Sequence, residues 1–324
     1  MKKSWGLISL PLVSAVILVG CGSGNGDEGS ASGEDYPSRD IELLVGHGPG
    51  GGTDIFARTV ADSMEEQLDT NINVVNMEGA GGAQAKNEAA NREGDGHSII
   101  ASSAFATATA SGNYEQGLDG LRPVARMQAD TFTLQVQSSE FEGYDAFVEA
   151  SENEELRIGG VGSGDMDEIT ASRFIQESGL NASYVSFNSS GDAQSALISG
   201  NVDALIEEVA PSIDYIESGD ISPIIFFAEE RVEGFEDITT TVEEGIEITE
   251  GVERGIMVPR DTPDEIVEIL EENLMETYES EEYQSHIEER YLDLREGWMS
   301  SEEWEEKLQQ DVENYEQTLQ ELNN

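Results

Sequence analysis

Cysteine and lysine are nearly missing from this chain. The single cysteine is Cys21, so from Tyr36 onward neither a disulfide nor thiol chemistry is available. Lysine occurs only as Lys2, Lys3, Lys86 and Lys307, against 68 acidic residues and a formal net charge of -52. A surface of that sign repels nucleic acid and anionic membranes, which excludes nucleic acid as a partner. It also repels itself, and about 1 M salt, where the Debye length is about 3 Å, screens that repulsion. Acid excess with lysine depletion therefore reads as adaptation to high salt. Histidine is scarce too: His47, His97 and His286 are far apart and in no ligand spacing, so structural or solvated roles are expected, with no metal, no cofactor and no catalytic residue. Long hydrophobic runs are absent. The apolar stretch from Leu7 to Val19, broken by Ser9, Pro11 and Ser14, is shorter than the roughly 20 residues a membrane-crossing helix needs.

That stretch follows Lys2 and Lys3 and precedes Gly20 and Cys21, the pattern of a signal peptide over residues 1–20. Leu18-Val19-Gly20-Cys21 resembles the lipobox of bacterial lipoproteins, which implies lipidation at Cys21 and a place on the outer face of the cytoplasmic membrane or in the periplasm. Residues 21–35, rich in glycine, serine and acid with no large apolar side chain, read as a flexible tether.

From Ile41 the pattern becomes regular. Ile41 to Val45 is a strand-forming run, followed by the glycine turn His47 to Gly52 and a helical spacing of apolar residues from Thr53 to Leu68. A strand at Ile72 to Val75, the turn Gly79-Ala80-Gly81-Gly82 and a helix from Ala83 to Ala90 repeat the unit. A third strand, Ser98 to Ala101, leads into a small-residue loop at Ser102-Ser103. Strands alternating with helices predict a parallel sheet covered on both faces. The pattern restarts with strands at Phe132 to Val136, Leu156 to Val161 and Tyr184 to Phe187, separated by helices and by the turns Gly162 to Asp165 and Asn188 to Gly191, which implies a second α/β domain. After Ile256 the chain is helical and acidic, with Pro263 opening a helix that is expected to pack back on the first domain.

Glycine- and serine-rich turns at strand C-termini, each running into a helix, are where open α/β sheets take ligands, and helix N-termini offer amide donors to an anion. The turns hold no lysine or arginine, so a carboxylate there would rely on amides, hydroxyls and water. Enzyme motifs fail on the same residues. Gly48 to Thr53 has no lysine for a phosphate and lacks the dinucleotide spacing, and Gly160 to Gly164 is one position off a nucleophile elbow. Asp54 and Arg58, one helical turn apart, serve the helix as dipole compensation and ion pair, or fix the glycine loop, or both. Glu207 and Glu208 would be solvated in so acidic a chain, or would receive a ligand ammonium.

Taken in order, these motifs resemble the extracytoplasmic solute receptors of tripartite tricarboxylate transporters. The resemblance rests on Tyr36-Pro37, the helix start Gly51-Gly52-Thr53-Asp54-Ile55-Phe56-Ala57-Arg58, and the turn Asn76 to Gly82 with its Gly-Ala-Gly-Gly end. It continues through Gly160-Val161-Gly162-Ser163, Gly200 to Ala204, and Val258 to Pro263. His97 and Ser98 depart from the family's aromatic and threonine, and Asn188-Ser189-Ser190 stands where it has a lysine. The resemblance implies two doubly wound α/β domains joined by a two-strand hinge, a periplasmic-binding-protein-like (type II) fold, with residues 36–136 plus 257–324 as domain 1 and 137–256 as domain 2. It implies one ligand wall of Gly50, Gly51, Gly52, Thr53, Gly79, Ala80, Gly81, Ser102 and Ser103, and another of Ser163, Gly164, Asp165, Asn188, Ser189 and Ser190. The implied ligand is a small organic acid: a di- or tricarboxylate, an acidic amino acid or an aromatic acid. The implied partners are the large and small membrane subunits of the transporter, served by a monomer. A same-fold receptor for a sensor kinase or another transporter, a surface hydrolase and an adhesive lipoprotein are the competing readings.

Overall fold

Residues 36–164 and 166–322 are described by a computed structural model. The expected signal peptide, Cys21, the tether and Asp165 lie outside the described residues.

Strand β1 (Ile41–Val45) leads through the glycine turn into helix α1 (Gly52–Leu68), and β2 (Ile72–Asn76) into α2 (Ala83–Ala90). Next come β3 (Ser98–Ser103), the short helix α3 (Phe105–Ala110) and β4 (Leu121–Ala129). Only Asp130 and Thr131 separate β4 from β5 (Phe132–Gln137), which is followed by α4 (Tyr144–Ser151), β6 (Leu156–Val161), α5 (Met166–Ser178) and β7 (Ala182–Phe187). The chain continues with α6 (Ser190–Ile198), β8 (Ala204–Glu208), α7 (Val209–Ser218), β9 (Ile221–Phe226) and the two-residue β10 (Thr239–Thr240). It returns through β11 (Glu253–Pro259) and ends in α8 (Asp264–Glu279), α9 (Glu281–Glu288) and α10 (Ser301–Leu322).

These strands make two sheets, ordered β2-β1-β3-β11-β4 and β10-β9-β5-β8-β6-β7. In the first, β1 pairs in parallel with β2 and β3, as the alternating pattern predicts, but β11 runs antiparallel to both β3 and β4. The purely parallel reading is corrected there. A strand arriving from another sheet needs no crossover helix, so no rule of βαβ connection fixes its direction. Strand β5 pairs with β8 and β9, so the whole of it belongs to the second sheet, although residues 36–136 were expected to stay together.

Each sheet has its own core. Phe56, Val60 and Met64 of α1 pack with Ile266, Val267, Leu270 and Leu274 of α8 over one face of the first sheet, as the spacing in the acidic C-terminal helix predicts. Trp304 and Leu308 of α10 close the other face against Leu44, Ile100 and Phe105. Phe132, Leu134, Phe147, Ile158, Phe174 and Ile225 fill the second sheet's interior. The two passages between the sheets lie against each other: the Asp130 amide donates to the Val252 carbonyl at 2.9 Å and the Phe132 amide to that of Glu250 at 3.3 Å. A side chain at Gly251 would run into the Asp130 carbonyl, so only glycine permits this approach.

Candidate functional site

The turn after β1 is built by its own residues. Asp54, on the first turn of α1, accepts hydrogen bonds from the Gly50 amide (2.9 Å), from Nε of Arg58 (3.0 Å) and from Nδ2 of Asn76 (2.8 Å), while Asn76 also donates to the His47 carbonyl at 2.9 Å. Burial raises the Asp54 pKa, but the bonds from Arg58, Gly50 and Asn76 outweigh it and hold the carboxyl below its usual range. Both roles considered for Asp54 and Arg58 are thus realised: an ion pair along the helix and a clamp on the glycine loop.

This turn meets the second sheet around a cavity of about 50 Å³. Gly51, Gly52, Thr53 and Ser103 line one side; Asn188, Ser189 and Ser190, at the start of α6, line the other. Ser189 caps α6 by accepting the Asp192 amide at 3.2 Å. Seven of the expected ligand residues are therefore brought together. Gly50 is exposed, and so are Gly79 and Ala80; Gly81 is partly exposed, and none of the four lines the cavity. Ser163 and Gly164 do not line it either; both bond the Glu168 carboxylate, and Nδ2 of Asn113 donates to the Gly164 carbonyl at 3.3 Å. Ser102 and Ser103 are the last residues of β3 rather than a loop, and because strand side chains alternate, Ser103 faces this cavity while Ser102 points to the α10 side.

A buried arginine was missed. Arg254 of β11, 4% exposed, lines the cavity and binds the Asp130 carboxylate through Nη1, Glu208 Oε1 through Nη2 at 2.6 Å, and Thr53 Oγ1 through Nε at 3.3 Å. The chain of bonds continues from the Thr53 hydroxyl to Ser103 Oγ at 3.1 Å, and Ser103 meets His47 Nδ1 at 3.5 Å. A Cβ on Gly52 would collide with the guanidinium, so that glycine is set by Arg254 as well as by the helix start. The expectation of a cavity free of basic side chains is corrected. The signal was there: Arg254 precedes the apolar run Ile256-Met257-Val258 in a strand that is buried almost throughout, so it had to point into the structure.

Glu207 and Glu208 are buried as well, at 3% and 4% exposure, which overturns the solvated reading. They end β8, hydrogen-bonded along its length to β5. Burial, then the charges of Glu208 and Asp167, push the Glu207 pKa well above the carboxylate range. Burial also disfavours charge on Glu208, but Arg254 outweighs it and brings its pKa below the ordinary value, so Glu207 holds the proton and donates it toward Glu208. Ser190 Oγ lies 3.4 Å from Glu207 Oε1. Burial pushes Asp130 up to about 6 despite Arg254. Among the described residues this cavity thus combines two helix N-termini, a neutral carboxyl donor and one guanidinium between two carboxyls. A larger cavity, about 380 Å³, lies on the α10 side of the same crossover.

Two α/β sheets linked by paired crossovers, with turn-and-helix junctions of both meeting at a cavity, are the fold of the periplasmic binding protein BugD (TM-score 0.80, 22% identity, 89% of this chain and 99% of that one). The chain belongs to the tripartite tricarboxylate transporter family receptor (TctC) family, matched over residues 56–324. Protein BugT of Bordetella pertussis is 25% identical over 259 residues, 77% of this chain and 79% of its own length. A second protein of Bordetella pertussis is 29% identical over 252 residues, covering 75% of this chain and 77% of its own length. Two solved structures from Rhodopseudomonas palustris share the fold: MatC with bound malate (TM-score 0.77, 22% identity, 87% of this chain and 99% of that one) and Rpa4515 with adipate (TM-score 0.80, 21% identity, 89% and 99%). Among the described residues no helix is long and apolar enough to cross a membrane.

Proposed function

We propose that the chain is an extracytoplasmic receptor, anchored through a lipid on Cys21, that captures a small organic carboxylate and delivers it to the large and small membrane subunits of a tripartite tricarboxylate-type transporter. The observation that carries this reading is the meeting of the α1 and α6 N-termini at one cavity beside Arg254. One ligand carboxylate would lie against the amides of Gly51 to Thr53 and the Thr53 hydroxyl, with Asn188 to Ser190 as donors opposite. A cavity of about 50 Å³ holds only a few waters, so a ligand enters when the lobes part. We place the lobe boundaries within the crossovers, at Asp130–Thr131 and Thr249–Val252, rather than at 136/137 and 256/257. Gly50, Gly79, Ala80, Gly81, Ser163 and Gly164 then form the mouth. That malate and adipate occupy relatives of the same fold supports the ligand class.

The experiment is a thermal-shift screen in about 2 M NaCl, where self-repulsion is screened, against citrate, succinate, malate, adipate, glutamate, aspartate, benzoate and terephthalate. At about 100 times its dissociation constant a true ligand adds about 2.7 kcal/mol. Binding that Thr53→Ala and Ser190→Ala both leave intact would sink the site, and a flat screen of folded protein would sink the carboxylate reading. The paired carboxyls of Glu207 and Glu208 favour a second reading, a ligand that also carries an ammonium, in which case glutamate or aspartate outranks succinate.

A further inference from the structure

The cleft carries more acid than its one arginine can balance. Asp167, Glu207 and Glu208 line it, all buried, and so does Arg254. The guanidinium is already committed to Glu208 and to the buried Asp130 behind it. Asp167, on the first turn of α5, accepts the Val161 amide at 2.7 Å, while its neighbour Glu168 is turned to Ser163 and Gly164. The other elements packed against Glu207 bring no permanent cation among the described residues. Strand β5 offers the uncharged Thr133 and Gln135, α6 offers Ser190 at 3.4 Å with Asp192 exposed, and α7 has its Asp214 exposed. The remaining ionisable residue of the wall is His47, from the turn after β1.

With Asp130, Asp167, Glu207 and Glu208 all ionised, the closed cleft would hold an excess of negative charge before any ligand arrived, and a carboxylate ligand would add to it. Like charges confined away from water are among the least stable arrangements a protein can make. A bound proton resolves the conflict. Glu207 is the group placed to take it, since Arg254 bonds its neighbour Glu208 and no cation pairs with Glu207 among the described residues. Burial, together with the charges of Glu208 and Asp167, favours its neutral form.

We propose that the receptor takes up a proton with its organic acid, the cleft closing at once on the ligand carboxylate and on a proton held between the Glu207 and Glu208 carboxyls. This rests on the carboxylate reading of the cleft given above. When the lobes part, as ligand entry requires, water reaches this wall and Glu207 ionises; when they close over an anion it is neutral again. The closed, liganded state therefore binds one proton more than the open one. Affinity is greatest in acidic surroundings, as long as the ligand itself stays ionised, and falls as pH rises above the ordinary carboxylate range. A ligand that carries an ammonium brings the compensating charge itself and takes up no proton.

The test is calorimetry on the full chain at pH 7.5 in about 2 M NaCl, which screens surface repulsion. Succinate, malate, adipate, glutamate and aspartate are each titrated in HEPES and in Tris, whose ionisation heats differ, so that the difference in binding heat counts the protons exchanged. The expected result for the acids without an ammonium is an uptake of about half to one proton per ligand, with affinity falling about three- to tenfold for each pH unit between 6 and 8. Glu207→Gln binds the same acid with no uptake and a flat pH profile, and at pH 8 more tightly than the unaltered protein. The proton count on the unaltered chain needs no variant. An uptake of zero there, with the acid bound, overturns the proposal and leaves the carboxylate reading standing. Uptake that persists in Glu207→Gln belongs to another group, His47 foremost, and overturns it as well. If glutamate or aspartate alone binds, without uptake, the ammonium reading replaces it. If folded protein binds none of the acids, the carboxylate reading itself has failed and the proton goes with it.

Discussion

Replacing Arg254 by methionine removes the cation that bridges the Asp130 and Glu208 carboxylates while keeping a long apolar side chain in its place. Both carboxyls are almost wholly buried, at 2% and 4% exposure, so neither can turn to water when the guanidinium is gone. Breaking a buried pair from one side costs about 3–5 kcal/mol because it strands the remaining charge. With a urea slope of about 1–3 kcal/mol/M, that lowers the unfolding midpoint by roughly 2 M. The cost also depends on pH. Asp130 is already raised to about 6 with Arg254 present, and without it both carboxyls go higher. Over the interval between the unfolded and folded values the native state binds more protons than the unfolded chain, so stability falls as pH rises. The variant therefore loses most at pH 8 and much less near pH 4.5, where the stranded carboxyls are protonated. Adding Asp130→Asn and Glu208→Gln to Arg254→Met restores most of the loss at pH 8. Urea unfolding followed by circular dichroism in about 1 M NaCl, where surface repulsion is screened, reads all of these. A deficit under about 1 kcal/mol at pH 8, or one that does not change between pH 4.5 and 8, would refute the buried triad.

Glu207→Gln stabilises the protein at pH 8 and flattens its pH profile, since the raised Glu207 pKa makes the native carboxyl a growing liability as pH climbs above the ordinary carboxylate range; an unchanged profile between pH 5 and 9 would show that Glu207 is ionised. Asp54→Ala releases the Gly50 amide, Arg58 and Asn76 together and costs about 1–3 kcal/mol, with ligand affinity falling further than stability alone explains; calorimetry beside urea unfolding separates the two. Gly52→Val drives a side chain into the Arg254 guanidinium and abolishes cleft binding, while retained binding there would move the site. Lowering salt below about 0.2 M, where the Debye length exceeds about 7 Å, expands the chain through unscreened repulsion, which a salt series by circular dichroism and light scattering checks.

The sequence determined whatever depends on near neighbours along the chain. Apolar spacing placed α1 and β6 within a residue or so of their ends, because helix and strand periods show directly in which side chains must be buried. The motif from Gly51 to Arg58 showed a turn clamped by its own residues, because Asp54 binds Gly50 and Arg58, four positions to either side. The start of α6 was legible for the same reason, through the Ser189 cap. Only the tertiary structure decided what faces those loops. Arg254 reaches Thr53 across 201 positions and Asp130 across 124, and the antiparallel place of β11 between β3 and β4 is what brings them together. Glu207 and Glu208 looked solvated because charge in an acidic chain is normally at the surface. They are buried because β8 lies inside the second sheet, between β5 and β6, and the pairing of strands distant in sequence leaves no local trace.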